Sequence, residues 1–328
     1  MKNFLITGAL GFIGSNVVNY LSIKYPHIKI IILDKLSYCS SEQNINKLSL
    51  HNTKIIIGDI SNKELITHIL NEYHIDHIIH FAASSHVANS FYNSIDFTIN
   101  NVLGTHYLLE ATRVYHEKTN LIEKFIHIST DEVYGEVTDD VMRKETSILD
   151  PTNPYAATKA AAEFMVKSYY YSYKLPIIIT RSNNVYGENQ YPEKIIPKFI
   201  CQLINGEKIT IEGNGSSKRN FIHAADVNTA IETIILKGVI GEIYNISAPD
   251  DCEYDVMTIA KMIINLFGFD NINDYIVFIE DRKFNDCRYF IDANKLKQLG
   301  WSAQNTNFEQ NLKDLIEWYK ANKTRYNM

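Results

Sequence analysis

Cysteine is scarce: four in 328 residues, Cys39, Cys201, Cys252 and Cys287, with no CxxC or metal-ligand spacing among them. That excludes a zinc ribbon and a disulfide-stapled scaffold, and it fits reduced thiols in a cytosol-like compartment. Positive charge is also short, with 32 Lys and Arg against 38 Asp and Glu for a net charge of −6. No basic run or aromatic–basic patch offsets that balance, so neither nucleic acid nor an anionic membrane is an expected partner. There is no uninterrupted apolar stretch long enough to span a bilayer. The opening Met1-Lys2-Asn3-Phe4-Leu5-Ile6-Thr7-Gly8 is short and ends in glycine, which reads as a first strand rather than a signal peptide. A cytoplasmic protein is expected. His74, His77 and His80 are the closest histidines, but they flank isoleucines at the start of a strand and no metal site is expected.

What the chain does have is regular alternation. Phe4 to Thr7 reads as a strand, Gly8-Ala9-Leu10-Gly11-Phe12-Ile13-Gly14 as a tight glycine turn, and about Ser15 to Tyr25 as a helix. The next strand, Ile28 to Leu33, ends at Asp34, twenty residues beyond Gly14. That order of strand, glycine turn, helix, strand and acid is what a dinucleotide site requires. Gly8 permits the turn, Gly11 lets backbone N–H groups approach a pyrophosphate, and Gly14 lets helix and strand pack closely. The helix N-terminus, entered through Phe12 and Ile13, then faces the phosphate charge. Asp34 suits ribose hydroxyls and its charge disfavours a 2′-phosphate, so NAD is expected over NADP; Lys35 and Ser37 continue the same edge. Further strands, Lys54 to Ile57 and His77 to Phe81, end at Gly58-Asp59-Ile60 and Ala82-Ala83, which should lie along the cofactor. A helix near Asn62 to Glu72 and a long one from about Asp96 to Tyr115 separate these strands from Phe125 to Ile128. The expected fold is α/β, a Rossmann-type doubly wound parallel sheet with a smaller C-terminal substrate domain. Residues 1–182, with a returning segment near 222–248 that includes a late strand from Glu242 to Ile246, form the NAD-binding part; the remainder of 183–328 mostly binds substrate. Loops are expected at Asn183 to Gly187 and Glu212 to Ser217.

Two stretches carry chemistry. Ser129-Thr130-Asp131-Glu132-Val133-Tyr134-Gly135 follows an apolar strand and sets two carboxylates and a threonine hydroxyl at its carboxyl end, where open parallel sheets bind ligands. Asn153-Pro154-Tyr155-Ala156-Ala157-Thr158-Lys159 starts a helix at its proline and projects Tyr155 and Lys159 from one face. A tyrosine of pKa about 10 acts as a base near neutrality only if its phenolate is stabilised by about 4 kcal/mol, which Lys159 and a positive nicotinamide together would supply. Simple oxidation leaves Asp131 and Glu132 without a task. Oxidation at one carbon acidifies its neighbour's proton, so a base (Glu132) and an acid (Asp131, its proton held by burial) beside the oxidised centre suit elimination of water, with Thr130 bonding the new carbonyl oxygen.

These stretches together resemble the nucleotide-diphosphohexose 4,6-dehydratases of the extended short-chain dehydrogenase/reductase type, nearly end to end. The similarity takes in Asp34-Lys35-Leu36-Ser37-Tyr38, the Thr-Asp-Glu triplet, Tyr155 to Lys159, Arg181 to Gly187, Tyr191 to Pro197, Lys218 to Phe221 and Asp281 to Asp292. The resemblance implies a closed redox cycle. Hydride leaves C4 to NAD with Tyr155 as base, Glu132 takes the C5 proton, Asp131 expels the C6 hydroxyl as water, and hydride returns to C6 to give a 4-keto-6-deoxy sugar for deoxysugar and glycan synthesis. It also implies that Arg219 and Arg282 contact the diphosphate and that Asn184, Glu193 and Lys194 line the hexose side. Phe284-Asn285-Asp286 and Ile196 to Ile200 are most similar to the UDP-glucose 4,6-dehydratase domain of plant UDP-rhamnose synthases, which favours UDP over dTDP. One loop departs from the family's Ala-Ala-Glu-Ser-His-Val-Asp-Arg-Ser: here Ser84 and Ala88 replace its two carboxylates, beside His86. The smaller side chains open room for a C2 acetamido group, so UDP-N-acetylglucosamine competes with UDP-glucose as the expected substrate, and retention or inversion at C5 stays open. Two other readings stand beside the dehydratase: a UDP-hexose 4-epimerase, which would leave the acid pair idle, and a non-catalytic NAD-binding protein. The family usually forms dimers through two helices, here those near Asp96 to Tyr115 and Pro154 to Tyr173.

Overall fold

The computed structural model describes residues 2–249, 252–281, 284 and 286–326. Its strands, in chain order, are β1 (Asn3–Thr7), β2 (Lys29–Asp34), β3 (Thr53–Ile57), β4 (His77–His80), β5 (Lys124–Thr130), β6 (Ile177–Ser182), β7 (Asn184–Tyr186), β8 (Ile209–Glu212), β9 (Lys218–His223), β10 (Ile243–Ile246), β11 (Glu253–Asp255) and β12 (Ile276–Ile279). Among the described residues seven of these form one sheet in the order β10-β6-β5-β4-β1-β2-β3. Every pairing in it is parallel. Side-chain period two decides what each face needs. Phe4, Ile6, Ile30 and Ile32 pack on one side against the helices Phe12–Lys24 (α1) and Ala224–Lys237. Leu5, Ile31 and Leu33 pack on the other against the helices Lys63–Glu72, Gly104–Thr119 and Pro154–Tyr173. A sheet whose strands are apolar on both sides is stable only with helices on both sides, which is the doubly wound arrangement expected.

The order reverses between β1 and β4, and the crevice at the carboxyl ends of the strands opens there. A third core, built on Phe199, Ile200, Ile211, Phe221, Ile263, Phe308 and Ile316, caps that crevice from the C-terminal side. It rests on two small sheets, β11-β9-β7 and β12-β8. One expectation is corrected here. Asn183 to Gly187, expected as a loop, contains β7, which pairs in parallel with β9. Three residues are too few to show a period, and the partner strand lies far along the chain. The helix expected from Asp96 instead starts at Ser94 and passes through a π-helical turn, Thr98–Leu103, before Gly104–Thr119. That turn aims Asn101 at the β4 end, where its amide bonds Ser84 N, Ser84 O and the Thr158 hydroxyl at 2.7, 3.0 and 3.0 Å. No helix among the described residues is long and apolar enough to cross a membrane, and all four cysteines are free thiols.

Candidate active site

The crevice is a cavity of about 600 Å³ running from the glycine turn to the C-terminal lobe. At its sheet end Gly8 adopts φ +68°, and a Cβ there would lie 2.5 Å from the backbone N and Cα of Ala82. Only glycine lets the ends of β1 and β4 come this close. A Cβ on Gly14 would lie 2.7 Å from Ala9 Cα, so the helix closes against the turn itself; one on Gly11 would crowd only the Gly8 carbonyl, at 3.3 Å. α1 has neither a side-chain cap nor an acidic residue in its first turn. The N–H groups at Phe12 and Ile13 are therefore presented to the cavity as a cradle of the kind a pyrophosphate occupies, so these residues fit a dinucleotide.

Asp34 is buried at the edge of that cradle and lines the cavity. Its two oxygens accept from Leu10 N and Leu36 N, both at 2.9 Å. It thus ties the glycine turn to β2, a second task beyond meeting ribose hydroxyls. Lys35 Nζ bonds Asn100 Oδ1 at 2.6 Å and stands 3.5 Å from Asp59. Ser37, Ile60, Ala82 and Ala83 line the cavity. Asp59 does not: its carboxylate folds back to accept from Ser61 N at 2.8 Å, and Gly58 takes its place on the wall.

The chemical groups gather around the end of β5. A tight turn, Asp131–Tyr134, separates the adjacent carboxylates into two environments. Glu132 lines the cavity, its Oε2 accepting from Asn153 Nδ2 at 3.0 Å and facing the Tyr289 hydroxyl at 3.4 Å. Asp131 is 2% exposed and reaches the cavity through Thr130 and Asn183, both of which line it. Asn183 Nδ2 donates to it at 2.9 Å and the Thr130 hydroxyl at 3.3 Å. Burial, with the Glu132 charge adding, pushes the Asp131 carboxyl up to about 7 against the pull of Asn183, Arg219 and Thr130.

Tyr155 and Lys159 share one helix face and both line the cavity. Lys159 and a positive nicotinamide together are expected to stabilise the Tyr155 phenolate; in the protein by itself Lys159 is not among the influences on that phenol. Burial first, then the Glu132 charge, holds the phenol well above its ordinary value, while the Thr130 hydroxyl pulls it down. Lys159 Nζ donates to the Ile128 carbonyl at 2.7 Å, and burial pushes it down to about 8, with Glu163 opposing. In the protein alone, therefore, Tyr155 is a neutral phenol.

On the far wall lie Ser84, His86, Ala88, Asn184, Glu193, Lys194 and Arg219. Ser84 Oγ accepts from Asn100 at 3.1 Å. The Tyr38 hydroxyl donates to Glu193 at 2.5 Å, tying this wall to the cofactor side, and Lys194 Nζ donates to the Ser85 carbonyl at 2.7 Å within the wall itself. The Arg219 guanidinium stacks over Tyr289 at 4.6 Å. Arg282 falls outside the described residues. Four residues of the site were not foreseen: Asn153, Asn183, Asp286 and Tyr289. Asn153 carries a readable sign, since it precedes a proline at a helix start and caps that helix through Ala156 N at 2.9 Å. The other three lie in Arg181 to Gly187 and Asp281 to Asp292, stretches that carry the resemblance but hold no local pattern assigning these residues to the site. Among the described residues no cluster of His, Cys, Asp and Glu is suited to a metal ion.

A Rossmann sheet with an uncapped glycine-turn helix, a Tyr and Lys one turn apart and an acid pair at the end of β5 defines a dinucleotide-fold protein of the extended short-chain dehydrogenase/reductase class. The chain belongs to the GDP-mannose 4,6 dehydratase family, whose sequence profile matches residues 5–315. It is 50% identical over 324 residues to a trifunctional UDP-glucose 4,6-dehydratase/3,5-epimerase/reductase of Arabidopsis thaliana, covering 98% of this chain and 48% of the plant protein. It thus spans about half the length of that relative. To the dTDP-D-glucose 4,6-dehydratase of Dictyostelium discoideum it is 43% identical, over 98% of this chain and 82% of the relative. Among solved structures, the dTDP-glucose 4,6-dehydratase of Streptomyces venezuelae with NAD bound superposes with a TM-score of 0.92 at 33% identity, covering 99% of each chain.

Proposed function

We propose that this chain is an NAD-dependent 4,6-dehydratase acting on a UDP-hexose. The observation that carries the reading is the division of labour in the acid pair: Glu132 faces the cavity, while Asp131 is buried and raised to about 7 beside the same tyrosine. Bound NAD supplies a hydride acceptor for C4 and then a donor for C6, so none is consumed. The division at 1–182 with 222–248 and the rest of 183–328 follows, the glycine-turn half holding the cofactor and the other half the sugar nucleotide.

Tyr155 takes the C4 hydroxyl proton, and its neutral resting state demands a positive charge nearby before it does so. Thr130 holds the resulting carbonyl oxygen. Glu132 removes the C5 proton, and Asp131, whose carboxyl is raised to about 7, gives its proton to the departing C6 hydroxyl. Arg219 and Arg282 take the diphosphate, with Asn184, Glu193 and Lys194 on the hexose side. UDP is preferred because the 50% identical relative is named for UDP-glucose and the 43% identical one for dTDP-glucose.

The test is separate incubation with UDP-glucose, UDP-N-acetylglucosamine and dTDP-glucose in deuterated water, read by mass spectrometry and proton NMR. Loss of one water with deuterium at C5 supports the reading and names the sugar, and coupling constants report retention or inversion at C5. A C4 epimer without water loss would transfer the case to an epimerase, and no reaction to an NAD-binding protein.

A second sugar is favoured by the wall at Ser84 to Ala88, which lines the cavity without a carboxylate. An acetamido group needs room and no facing negative charge. Ala88→Asp is expected to lower kcat/KM for UDP-N-acetylglucosamine about tenfold more than for UDP-glucose, about 1.4 kcal/mol of discrimination; equal losses on both sugars count against the acetamido reading.

A homodimer is part of the same proposal. Ile95, Ile99, Leu103 and Tyr107 recur every fourth residue and are 73, 50, 44 and 44% exposed, beside the exposed Phe164 and Tyr171 of the helix Pro154–Tyr173. An apolar stripe of this size on paired helices is poorly suited to water. Leu103→Glu is expected to convert a dimer to a monomer by light scattering; a parent that is already monomeric overturns the assignment.

A further inference from the structure

Glu132 is not the only carboxylate at the reacting centre. Asp286, 3% exposed, also lines the cavity, and a single phenol hydroxyl bridges the two. The Tyr289 hydroxyl lies 2.5 Å from Asp286 Oδ2 and 3.4 Å from Glu132 Oε2. One O–H has one proton to donate, and the shorter contact places it on the Asp286 side. Toward Glu132 the phenol oxygen therefore presents lone pairs. An ionised Glu132 meets it acceptor to acceptor. Once Glu132 has taken a proton, its O–H fills that gap as a donor.

The chain of groups continues outward. The Thr152 hydroxyl is 2.8 Å from both oxygens of Asp286, and Thr152 is exposed at the surface. Asn153 holds Glu132 in place at 3.0 Å, and Arg219 stacked on the Tyr289 ring at 4.6 Å fixes the phenol between the two acids. The path Glu132, Tyr289, Asp286, Thr152 thus runs through direct polar contacts from the cavity wall to an exposed hydroxyl.

We propose that Tyr289, Asp286 and Thr152 form a proton exit leading from Glu132, through which the proton taken from C5 is exchanged with solvent while the sugar remains bound. The proposal rests on the dehydratase reading. The C5–H bond breaks and its proton goes to Glu132; the Glu132 O–H then passes to the Tyr289 oxygen as the Tyr289 proton passes to Asp286, so the phenol stays neutral throughout. Burial and the neighbouring Glu132 charge hold that phenol far above its ordinary value, which excludes a free phenolate between the two transfers. Asp286 releases its proton through Thr152 to water, and the reverse path brings a solvent proton to C5. Tyr289, Asp286 and Thr152 are positioning residues in this scheme; Glu132 alone touches the sugar carbon.

The test uses the whole chain with NAD and a UDP-hexose carrying protium at C5, in deuterated water, with C5 deuterium in the 4-keto product read by NMR. The parent is expected to give nearly complete deuteration. Tyr289→Phe, which removes the bridging hydroxyl, should trap the abstracted proton on Glu132 and return it, so that most product keeps protium at C5. Thr152→Val leaves Glu132 and Tyr289 untouched and should raise retained protium several-fold; it reads the same path if Tyr289→Phe does not bind NAD. A loss of rate with unchanged deuteration would show Tyr289 to be merely structural. Parental deuteration in both variants overturns the exit. Failure of the parent to lose water at all would overturn the dehydratase reading instead.

Discussion

Replacing Glu132 with glutamine should lower dehydration about 10²–10⁴-fold, the range a positioned general base contributes, while NAD stays bound. The amide keeps the side chain's length and can still accept from Asn153 through its carbonyl oxygen, so the wall of the cavity is preserved. It cannot take up the C5 proton. In the proposed cycle oxidation at C4 uses Tyr155 and would be spared, so reduced nicotinamide should accumulate and be visible by absorbance. Removing the Glu132 charge also removes one of the influences that raise Tyr155, the largest after burial. The initial reduction of NAD is therefore expected to persist to lower pH than in the parent. An epimerase would barely register this substitution, and full turnover by Glu132→Gln would sink the assignment of the base.

Asp131→Asn is expected to cost a similar factor, and the parent's pH profile should show why. In the proposed role as general acid, Asp131 works in its protonated form. With its carboxyl raised to about 7, the elimination step should be flat on the acid side of that value and fall tenfold per pH unit above it. Single-turnover conversion of the reduced-nicotinamide intermediate across pH 5.5 to 9, a range of about two units on the alkaline side of the midpoint, measures this limb directly. Its absence from the parent would show that Asp131 is not the acid. The same shift makes a stability statement. Between the unfolded value near 4 and the folded value of about 7, the native state holds a proton that the unfolded chain has lost, so stability falls as pH rises through that window. The amide of the Asp131→Asn variant has no proton to lose, and the variant's melting temperature should lack that dependence.

The glycine turn was legible in the chain because its physics is local. Gly8 must accept a left-handed backbone against Ala82, the next helix must start without a capping acid, and an apolar strand must end in Asp34. Each of these demands is met within about thirty consecutive residues, the span of one βαβ unit. Tyr155 and Lys159 were legible for the same reason, since four residues on a helix define one face whatever surrounds it. The short strand β7 and the Asp286–Tyr289 pair were not. Their partners, β9 and Glu132, are brought to them by the packing of the third core, and nothing in the neighbouring residues records that meeting.

Asp59 shows how near neighbours share a side chain: its position after β3 put it at the sheet's carboxyl edge, where one oxygen accepts from Ser61 N and the other stands 3.5 Å from Lys35. The doubly wound sheet, the glycine cradle and the presence of an acid pair at the end of β5 are written in the order of residues alone, because hydrophobic period, glycine conformation and strand–turn–helix order act over neighbours. The division that leaves Glu132 facing the cavity and Asp131 buried and raised to about 7 was settled only by folding, because protonation depends on desolvation and on groups such as Asn183 that other strands bring into contact.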